Sequence, residues 1–286
     1  MNCIFCHETS NSSKSIEHII PESLGNKEHI LRKGVVCDKC NNYFAIKIEK
    51  ELLEQFYFTN VRFRNSIKTK KNRSVPLQYP FPCTKGYENI WVDFCDKSIT
   101  FENDSKILKL INDGKKKQFI IPVIQEPPKD NYIMSRFLAK CAYEYLFLKF
   151  NKGNVLDKNI TDFLENNLDA IRKYSRYGVG CKLWPYYQRR IYEESVRFVD
   201  EKENNGTPYE ILHEMDIFID DSTLTVLDNG ISGETYFVLV IMGIEFVIDI
   251  GCPEIAGYHN WLQRHNYKSP VERDYEKRLS NKESGL

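Results

Sequence analysis

The sequence has no excess of charge of either sign, because 40 Lys and Arg residues are balanced by 40 Asp and Glu residues. A neutral chain lacks the long-range basic field that attracts nucleic acid, so any such affinity must come from a local patch. Long apolar runs are missing as well. The longest, Tyr236 to Ile244, is interrupted by Gly243 and is too short for a transmembrane helix.

Three further absences narrow the class of protein. The sequence has no Gly-rich phosphate loop, no internal repeat, and no basic segment followed by an apolar stretch at its N-terminus. Nothing therefore indicates a nucleotide ligand, a repeat architecture or export. Five of the nine cysteines are dispersed singly among apolar neighbours: Cys83, Cys95, Cys141, Cys181 and Cys252. Such cysteines are typical of reduced thiols, so we expect a cytoplasmic location.

The other four cysteines form two pairs with the same spacing. Cys3 and Cys6 make one CxxC pair, and Cys37 and Cys40 make the other. Each pair presents two sulfur atoms from one tight turn, so the two pairs together can close a tetrahedral thiolate site for zinc. Four unrelated thiols would not share this spacing. We therefore predict a structural zinc ion held by these four residues.

An acidic residue, a histidine and an amide lie between the two cysteine pairs or next to them. Glu17 and His18 fall between the two pairs, and Asn41 follows the last cysteine directly. Hydrolysis of a phosphodiester needs an activated water and a cation that neutralises the developing charge. A neutral imidazole can take a proton from water, and carboxylate and amide oxygens suit Mg²⁺ or Mn²⁺. These residues are the ingredients of a metal-assisted phosphodiester hydrolase.

The order of these elements resembles the HNH endonucleases of the ββα-metal superfamily, in the subgroup with a structural zinc between two CxxC turns. The matching motifs, which span the first fifth of the chain, are Cys-x2-Cys, Glu-His-Ile-Ile-Pro-x-x-Leu-Gly and Val-Cys-x-x-Cys-Asn-Asn-x-Phe. The resemblance implies that His18 is the general base and that Glu17 and Asn41 ligate a catalytic Mg²⁺ or Mn²⁺. For the family's central asparagine, Asn26 and His29 are both possible.

Two of these assignments have structural alternatives. The alternative for His18 is a buried histidine that is hydrogen-bonded for the fold, since it precedes two isoleucines. Asn41 can cap the N-terminus of a helix, a role that asparagine fills well. The zinc turns on both sides favour the catalytic interpretation of His18, and the ligand role of Asn41 is less strongly supported.

A basic run follows the predicted nuclease segment. Its members are Arg62, Arg64, Lys68, Lys70 and Lys71. Such residues can bind DNA through the release of counterions from phosphates, whereas an exposed linker or edge strand explains the same composition equally well. A second cluster of aromatic and basic residues, between Tyr174 and Arg190, is a further candidate for contacts with bases.

The apolar periodicity predicts an α+β protein of two domains. Residues 1–74 are expected to form a zinc-stapled HNH nuclease domain, with a helix from about Asn41 that ends near Phe58. Residues 75–286 are expected to form a larger domain of helices and antiparallel strands, in which prolines 76, 80 and 82 first break regular structure. The expected helices are Met134 to Phe150 and Ile160 to Tyr174. The expected strands are Trp91 to Phe94, Ile99 to Phe101, Phe119 to Val123, Ile211 to Ile219, Thr223 to Leu227, Thr235 to Met242 and Glu245 to Ile250.

The sequence therefore predicts a metal-dependent HNH endonuclease that hydrolyses DNA, with a C-terminal domain for specificity or regulation. Its plan resembles bacterial restriction and phage-defence nucleases. Double-stranded DNA is the expected substrate, and a homodimer would allow both strands to be cut. One alternative is an inactive zinc-containing protein that binds nucleic acid or acts as a sensor. Another is a nuclease that is switched on by a ligand or partner of the C-terminal domain.

Overall fold

The computed structural model describes residues 1–65, 67–69, 71, 73–83, 86–95, 98–101, 109, 112–114, 126–150, 162, 166–192, 213–227 and 230–273. The chain forms two compact units. Unit 1 comprises Met1–Pro21, Asn26–Leu52 and Pro128–Leu286, and unit 2 comprises Glu22–Gly25 and Leu53–Pro127. The zinc turns thus share a unit with the C-terminal half of the chain. The domain boundary expected near residue 74 differs from this division.

The N-terminal part of unit 1 is a short hairpin followed by a helix. β1 (Glu17–His18) and β2 (Ile30–Leu31) pair antiparallel, with His18 opposite Ile30. α1 (Asp38–Phe44) continues through a π-helical turn, Ala45–Glu49, into α2 (Lys50–Leu53). The apolar side chains spaced by four along this segment, Phe44, Ile48 and Leu52, are fully buried. The predicted period therefore marks the face that enters the core.

This helical segment differs from the expected helix at both ends. It starts at Asp38 because Cys37 has extended backbone and its sulfur accepts a hydrogen bond from the Cys40 amide. It ends at Leu53, and a separate helix, α3 (Phe56–Arg64), begins after the extended residue Gln55. The expected end near Phe58 is wrong. The first two residues of the basic run are therefore helical rather than part of a linker or strand.

Unit 2 contains α3 and a three-stranded antiparallel sheet in the order β3-β4-β5. The strands are β3 (Leu77–Cys83), β4 (Gly86–Cys95) and β5 (Ser98–Phe101). Leu77 and Tyr79 are buried and Gln78 is exposed, as expected for alternating sides of a strand. The expected break at Pro80 and Pro82 is wrong, because β3 runs through both residues. β3 is an edge strand, where a residue without an N–H is tolerated.

The C-terminal part of unit 1 is built on a four-stranded antiparallel sheet in the order β6-β11-β10-β7. Its helices are α4 (Tyr132–Phe150), α5 (Asp169–Tyr177) and α6 (Ala256–Arg264). Its strands are β6 (Tyr187–Arg190), β7 (His213–Ile219), β10 (Thr235–Ile241) and β11 (Ile244–Asp249), and a separate hairpin consists of β8 (Thr225–Leu227) and β9 (Gly230–Ser232). α4 packs against β11 and α5.

The two central strands follow the sequence pattern closely. Residues 236–241 of β10 are all buried, as expected for an apolar run that is covered on both faces of a sheet. Met242 and Gly243 join β10 to β11 with φ values of 48° and 81°. Positive φ at both positions is the requirement of a two-residue turn that matches the twist of the strands, so this predicted hairpin is confirmed.

The predicted helices are confirmed with changed ends. α4 starts at Tyr132, and α5 runs from Asp169 to Tyr177 and is capped by Gly178, whose φ is 68°. Gly178 is thus the expected C-terminal glycine. The predicted strand 119–123 and much of the expected start of α5 lie outside the described residues. Within the described part of the chain, no helix has the length and apolar character needed to span a membrane.

Candidate active site and metal centre

The four paired cysteines form one cluster in unit 1. Their Sγ atoms all lie within 4.8 Å of one another, and those of Cys6 and Cys37 are 3.6 Å apart. The Cys37 amide donates to Cys3 Sγ at 3.3 Å. A hydrogen bond with Cys40 lowers the pKa of Cys3 to about 4, against the effect of burial. Zn–S bonds of about 2.3 Å bring four thiolates to this separation, so the cluster fits a structural zinc ion.

Two arginines of α5 reach this centre from outside the cysteine turns. Arg176 Nε donates to Cys40 Sγ at 3.2 Å, and its guanidinium carbon lies 3.8 Å from the centroid of the Tyr43 ring. Arg172 donates to the backbone oxygen of Phe5, inside the first cysteine turn. The two arginines are four residues apart, so they project from the same side of the helix. Sequence reasoning missed both contacts and considered Arg176 only for contacts with bases.

β1 presents the two predicted catalytic residues to different surroundings. Glu17 is only 5% exposed, whereas His18 is partly exposed. This follows from the alternation of side chains along a strand. The Ile19 amide donates to the backbone oxygen of His29 at 3.0 Å, which extends the hairpin beyond β1. His18 is therefore held on a paired strand and is accessible from solvent.

Asn26 braces the loop between β1 and β2. Its Nδ2 donates to the backbone oxygens of Ile20 and His29 at 2.7 and 3.1 Å. Its Oδ1 accepts from the amides of Glu28 and His29 at 3.1 and 3.0 Å. The side chain is fully buried, and all four of these bonds go to backbone groups. Of the two candidates for the central asparagine, Asn26 makes the bracing contacts.

Asn41 lies within α1 and contacts the segment before β1. Its Nδ2 donates to the backbone oxygen of Ile16 at 3.1 Å. Asp38, at the start of the same helix, accepts from the amides of Lys14 and Ser15 at 2.9 and 2.8 Å. These contacts tie α1 to the residues that immediately precede Glu17. Because Cys37 is the N-cap, the interpretation of Asn41 as a helix cap is wrong.

The residues predicted to hold a catalytic metal supply hard oxygen donors. A carboxylate from Glu17 and an amide oxygen from Asn41 form the donor type that Mg²⁺ and Mn²⁺ prefer, and they contain no soft sulfur atom. Asn41 directs its amide nitrogen to Ile16, so that atom is already engaged by the backbone. The chemistry of this donor set fits a hard divalent cation.

Glu17 also makes a buried ion pair that the sequence did not indicate. Its Oε1 lies 2.7 Å from Nζ of Lys140, a residue of α4 that has no solvent exposure. Burial raises the pKa of Glu17 to about 7, although Lys140 opposes this effect. Burial alone would lower the pKa of Lys140, but the carboxylates around it, above all Glu144, raise that pKa well above its usual value. The lysine is therefore a cation at neutral pH.

The basic run does not form a uniform surface. Arg62 is only 6% exposed, and burial lowers the pKa of its guanidinium. It therefore does not fit the predicted role at a DNA surface. Arg64 is partly buried, Lys68 and Lys71 are exposed, and Lys70 lies outside the described residues. For Lys68 and Lys71, contact with DNA stays a prediction.

Comparison with known proteins agrees with this geometry. Residues 3–57 match the family model of HNH endonucleases. The matched segment includes β1, β2, α1 and all four clustered cysteines, so the chain carries an N-terminal HNH endonuclease domain, as predicted. This family indicates nuclease activity on a nucleic acid with a divalent metal. No curated protein and no solved structure matches the chain.

Proposed function

We propose that the protein is a metal-dependent endonuclease that hydrolyses phosphodiester bonds of DNA. The observation that carries the proposal is the contact between Asn41 and Ile16 at 3.1 Å inside the HNH segment. It brings the proposed last metal ligand beside the strand that carries Glu17 and His18. This contact supports a shared site for the three residues, because Ile16 directly precedes Glu17 and His18.

The proposed roles follow from the position of each group. His18 takes a proton from the attacking water, because a partly exposed neutral imidazole is suited to general-base catalysis at neutral pH. Glu17 and Asn41 would hold Mg²⁺ or Mn²⁺, which supplies a positive charge for the phosphate and the leaving oxygen. Asn26 fixes the loop behind His18 through its four bonds to the backbone. The cysteine cluster would hold zinc and keep the start of α1 against the N-terminal turn.

The biological role is proposed on the resemblance to restriction and phage-defence nucleases. We take double-stranded DNA as the substrate, a homodimer as the form that cuts both strands, and the cytoplasm as the location. Arg64, Lys68 and Lys71 are proposed to contact phosphates. The residues beyond the HNH segment would supply specificity. They contain a cavity of about 460 Å³ lined by residues that include Trp261, Arg264 and Asp220, which offers one place for recognition.

The test is cleavage of plasmid DNA in Mg²⁺ or Mn²⁺ by the full chain and by His18→Ala. The wild-type protein is expected to nick and linearise the plasmid. His18→Ala is expected to lose this activity and to retain its zinc content and thermal melting curve, because the side chain lies outside the cysteine cluster. Equal cleavage by both proteins would refute the proposed base.

A second candidate function is supported by the ion pair of Glu17. A zinc-containing protein that binds nucleic acid without cutting it could keep this carboxylate as a partner of Lys140, at 2.7 Å, rather than as a metal ligand. Such a protein would bind DNA in a salt-dependent manner and show no turnover in Mg²⁺ or Mn²⁺. The same plasmid assay, together with a measurement of DNA binding, separates the two functions.

A further inference from the structure

Lys140 is a charged residue in the middle of a buried helix. The residues of α4 from Met134 to Phe147 are all buried, and the side chain of Lys140 has no solvent exposure. Moving an ammonium group out of water is unfavourable unless other groups pair with it and accept its hydrogen bonds. An apolar side chain of similar length would fill the same place in the helix without that cost. The position of the charge therefore calls for an explanation beyond packing.

The contacts of Lys140 converge on the segment that carries the proposed active site. Its Nζ lies 2.7 Å from Glu17 Oε1, and it donates to the backbone oxygens of His18 at 3.0 Å and Ile19 at 3.2 Å. Next to it in sequence, Cys141 Sγ donates to the same Ile19 oxygen at 3.1 Å. α4 is thus bonded to three consecutive residues of the hairpin.

Two other carboxylates complete the surroundings of the ammonium. Glu49 Oε1 lies at 2.9 Å, and Glu144 Oε2, one helical turn along α4, lies at 3.2 Å. An ammonium has three N–H groups, so two acids alone do not satisfy it. The remaining acceptors all belong to the hairpin, namely the Glu17 carboxylate and the peptide oxygens of His18 and Ile19.

We propose that Lys140 is a positioning residue of the nuclease site, supplied by a helix that lies outside the segment matched to HNH endonucleases. Its ammonium holds the Glu17 carboxylate by one oxygen and fixes the backbone of His18. The proposed metal ligand Glu17 and the proposed general base His18 are thereby held in fixed relative positions. This inference rests on the proposed function. It adds that α4 supplies some of the hydrogen bonds that support the residues of the HNH segment.

The effect of removing the ammonium follows from this arrangement. Groups that hydrogen-bond to a metal ligand orient it, and their loss typically lowers metal affinity by about 10- to 100-fold. A displaced base or ligand also slows the chemical step, and a shift of about 1 Å can cost about 100-fold. Binding of DNA depends on other residues. Loss of Lys140 should therefore lower kcat and metal affinity and leave the KM for DNA nearly unchanged.

The variants are Lys140→Met and the double variant Lys140→Met with Glu144→Leu. The single change leaves three acidic side chains around the vacated position and is expected to destabilise the fold, whereas the double change also removes the buried carboxyl group of Glu144. Glu144→Gln is the matched control, because it alters the same cluster and keeps the contact between Lys140 and Glu17. Zinc content and thermal melting curves establish that each full-length variant is folded.

Binding of Mn²⁺ in the absence of DNA, followed by electron paramagnetic resonance, is the primary measurement. The folded variants without Lys140 are expected to bind Mn²⁺ about 10- to 100-fold more weakly than the wild type. Glu144→Gln should stay within about threefold of the wild type. Plasmid cleavage at saturating Mn²⁺ is then measured for kcat and KM, with the loss confined to kcat.

Unchanged or tighter Mn²⁺ binding by the double variant would overturn the proposal, because the ammonium would then be a partner for the fold or a competitor of the metal. An equal loss in Glu144→Gln would also overturn it. If the wild type binds Mn²⁺ but does not cleave DNA, the proposed function fails while the binding measurement still decides the role of Lys140. If the wild type cleaves and the double variant cleaves equally well, only the role of Lys140 fails.

Discussion

Replacement of Arg176 by methionine is expected to weaken zinc binding at the cysteine cluster without a change in any zinc ligand. Four thiolates around Zn²⁺ leave an excess of negative charge on the sulfur atoms. Arg176 donates to one of those atoms, Cys40 Sγ, at 3.2 Å. Methionine keeps most of the apolar stem of the side chain and removes the charge and the donor.

The magnitude follows from the environment of this contact. Arg176 is only 8% exposed and Cys40 is fully buried, so water screens the interaction little. A hydrogen bond that involves a charged group contributes about 1.5–3 kcal/mol. This free energy corresponds to a decrease of about 10- to 100-fold in zinc affinity. The range agrees with the usual effect of removing a group that supports a metal ligand.

The assay is competition for zinc with a chromophoric chelator of known affinity, carried out on the full chain. Two further variants serve as controls. Arg176→Lys keeps the charge and should lose less affinity than Arg176→Met. Lys173 lies on the same helix with 52% of its side chain exposed. The Lys173→Met variant should therefore bind zinc with the affinity of the wild type. Equal zinc affinity in Arg176→Met and Lys173→Met would refute this account of the centre.

Two more substitutions test how the hairpin and α5 are held. Asn26→Ala removes four hydrogen bonds between a buried side chain and the backbone and is expected to lower the free energy of unfolding by about 2–4 kcal/mol in chemical denaturation. Asn42 is exposed on α1, so Asn42→Ala should change the free energy of unfolding by less than about 0.5 kcal/mol. Similar values for the two variants would contradict the bracing role of Asn26. Gly178→Ala places a Cβ against the Tyr132 hydroxyl at a φ of 68°, so it should cost at least about 1 kcal/mol and lower the melting temperature. An unchanged melting curve would show that α5 does not depend on this glycine.

The local parts of the candidate site were predictable from the sequence. Two CxxC turns with equal spacing predicted the cysteine cluster. Each turn positions its own two sulfur atoms, so only the contact between the two turns depends on the rest of the fold. The turn at Met242 and Gly243 was predictable for a similar reason, since glycine between two apolar runs is a short-range signal. In each case the residues that determine the geometry lie within a few positions of one another.

The helix ends and the edge strand were predicted less well. The sequence favoured a strand or linker at Arg62, yet the residue lies in α3 and is buried. Pro80 and Pro82 suggested a break, yet β3 continues through them. Both outcomes depend on tertiary context. A basic residue becomes buried, and a proline is tolerated in a strand, according to which neighbours the fold supplies.

The outer parts of the site were not predictable, because their partners are distant in sequence. Lys140 donates to the His18 oxygen from 122 residues away, and Arg176 reaches Cys40 across 136 residues. Composition gives no indication of which acid or sulfur a buried cation will meet. The one local signal, a lysine and a glutamate four residues apart within an apolar helix, was not used in the sequence analysis and does not identify Glu17 as a partner.

Most of the HNH segment shares one compact unit with α4 and α5, and these two helices supply cations that contact buried groups of the segment. The carboxylate of Glu17 is buried at 5% exposure, and Cys40 is fully buried beside three other thiols. Within the described residues, the cations that contact these two side chains are Lys140 from α4 and Arg176 from α5. Removing those helices would leave an unpaired carboxylate and a less supported thiolate at the two places on which the proposed chemistry depends. The residues that carry the nuclease motif therefore depend on α4 and α5, which lie outside the matched segment, to hold the motif in position.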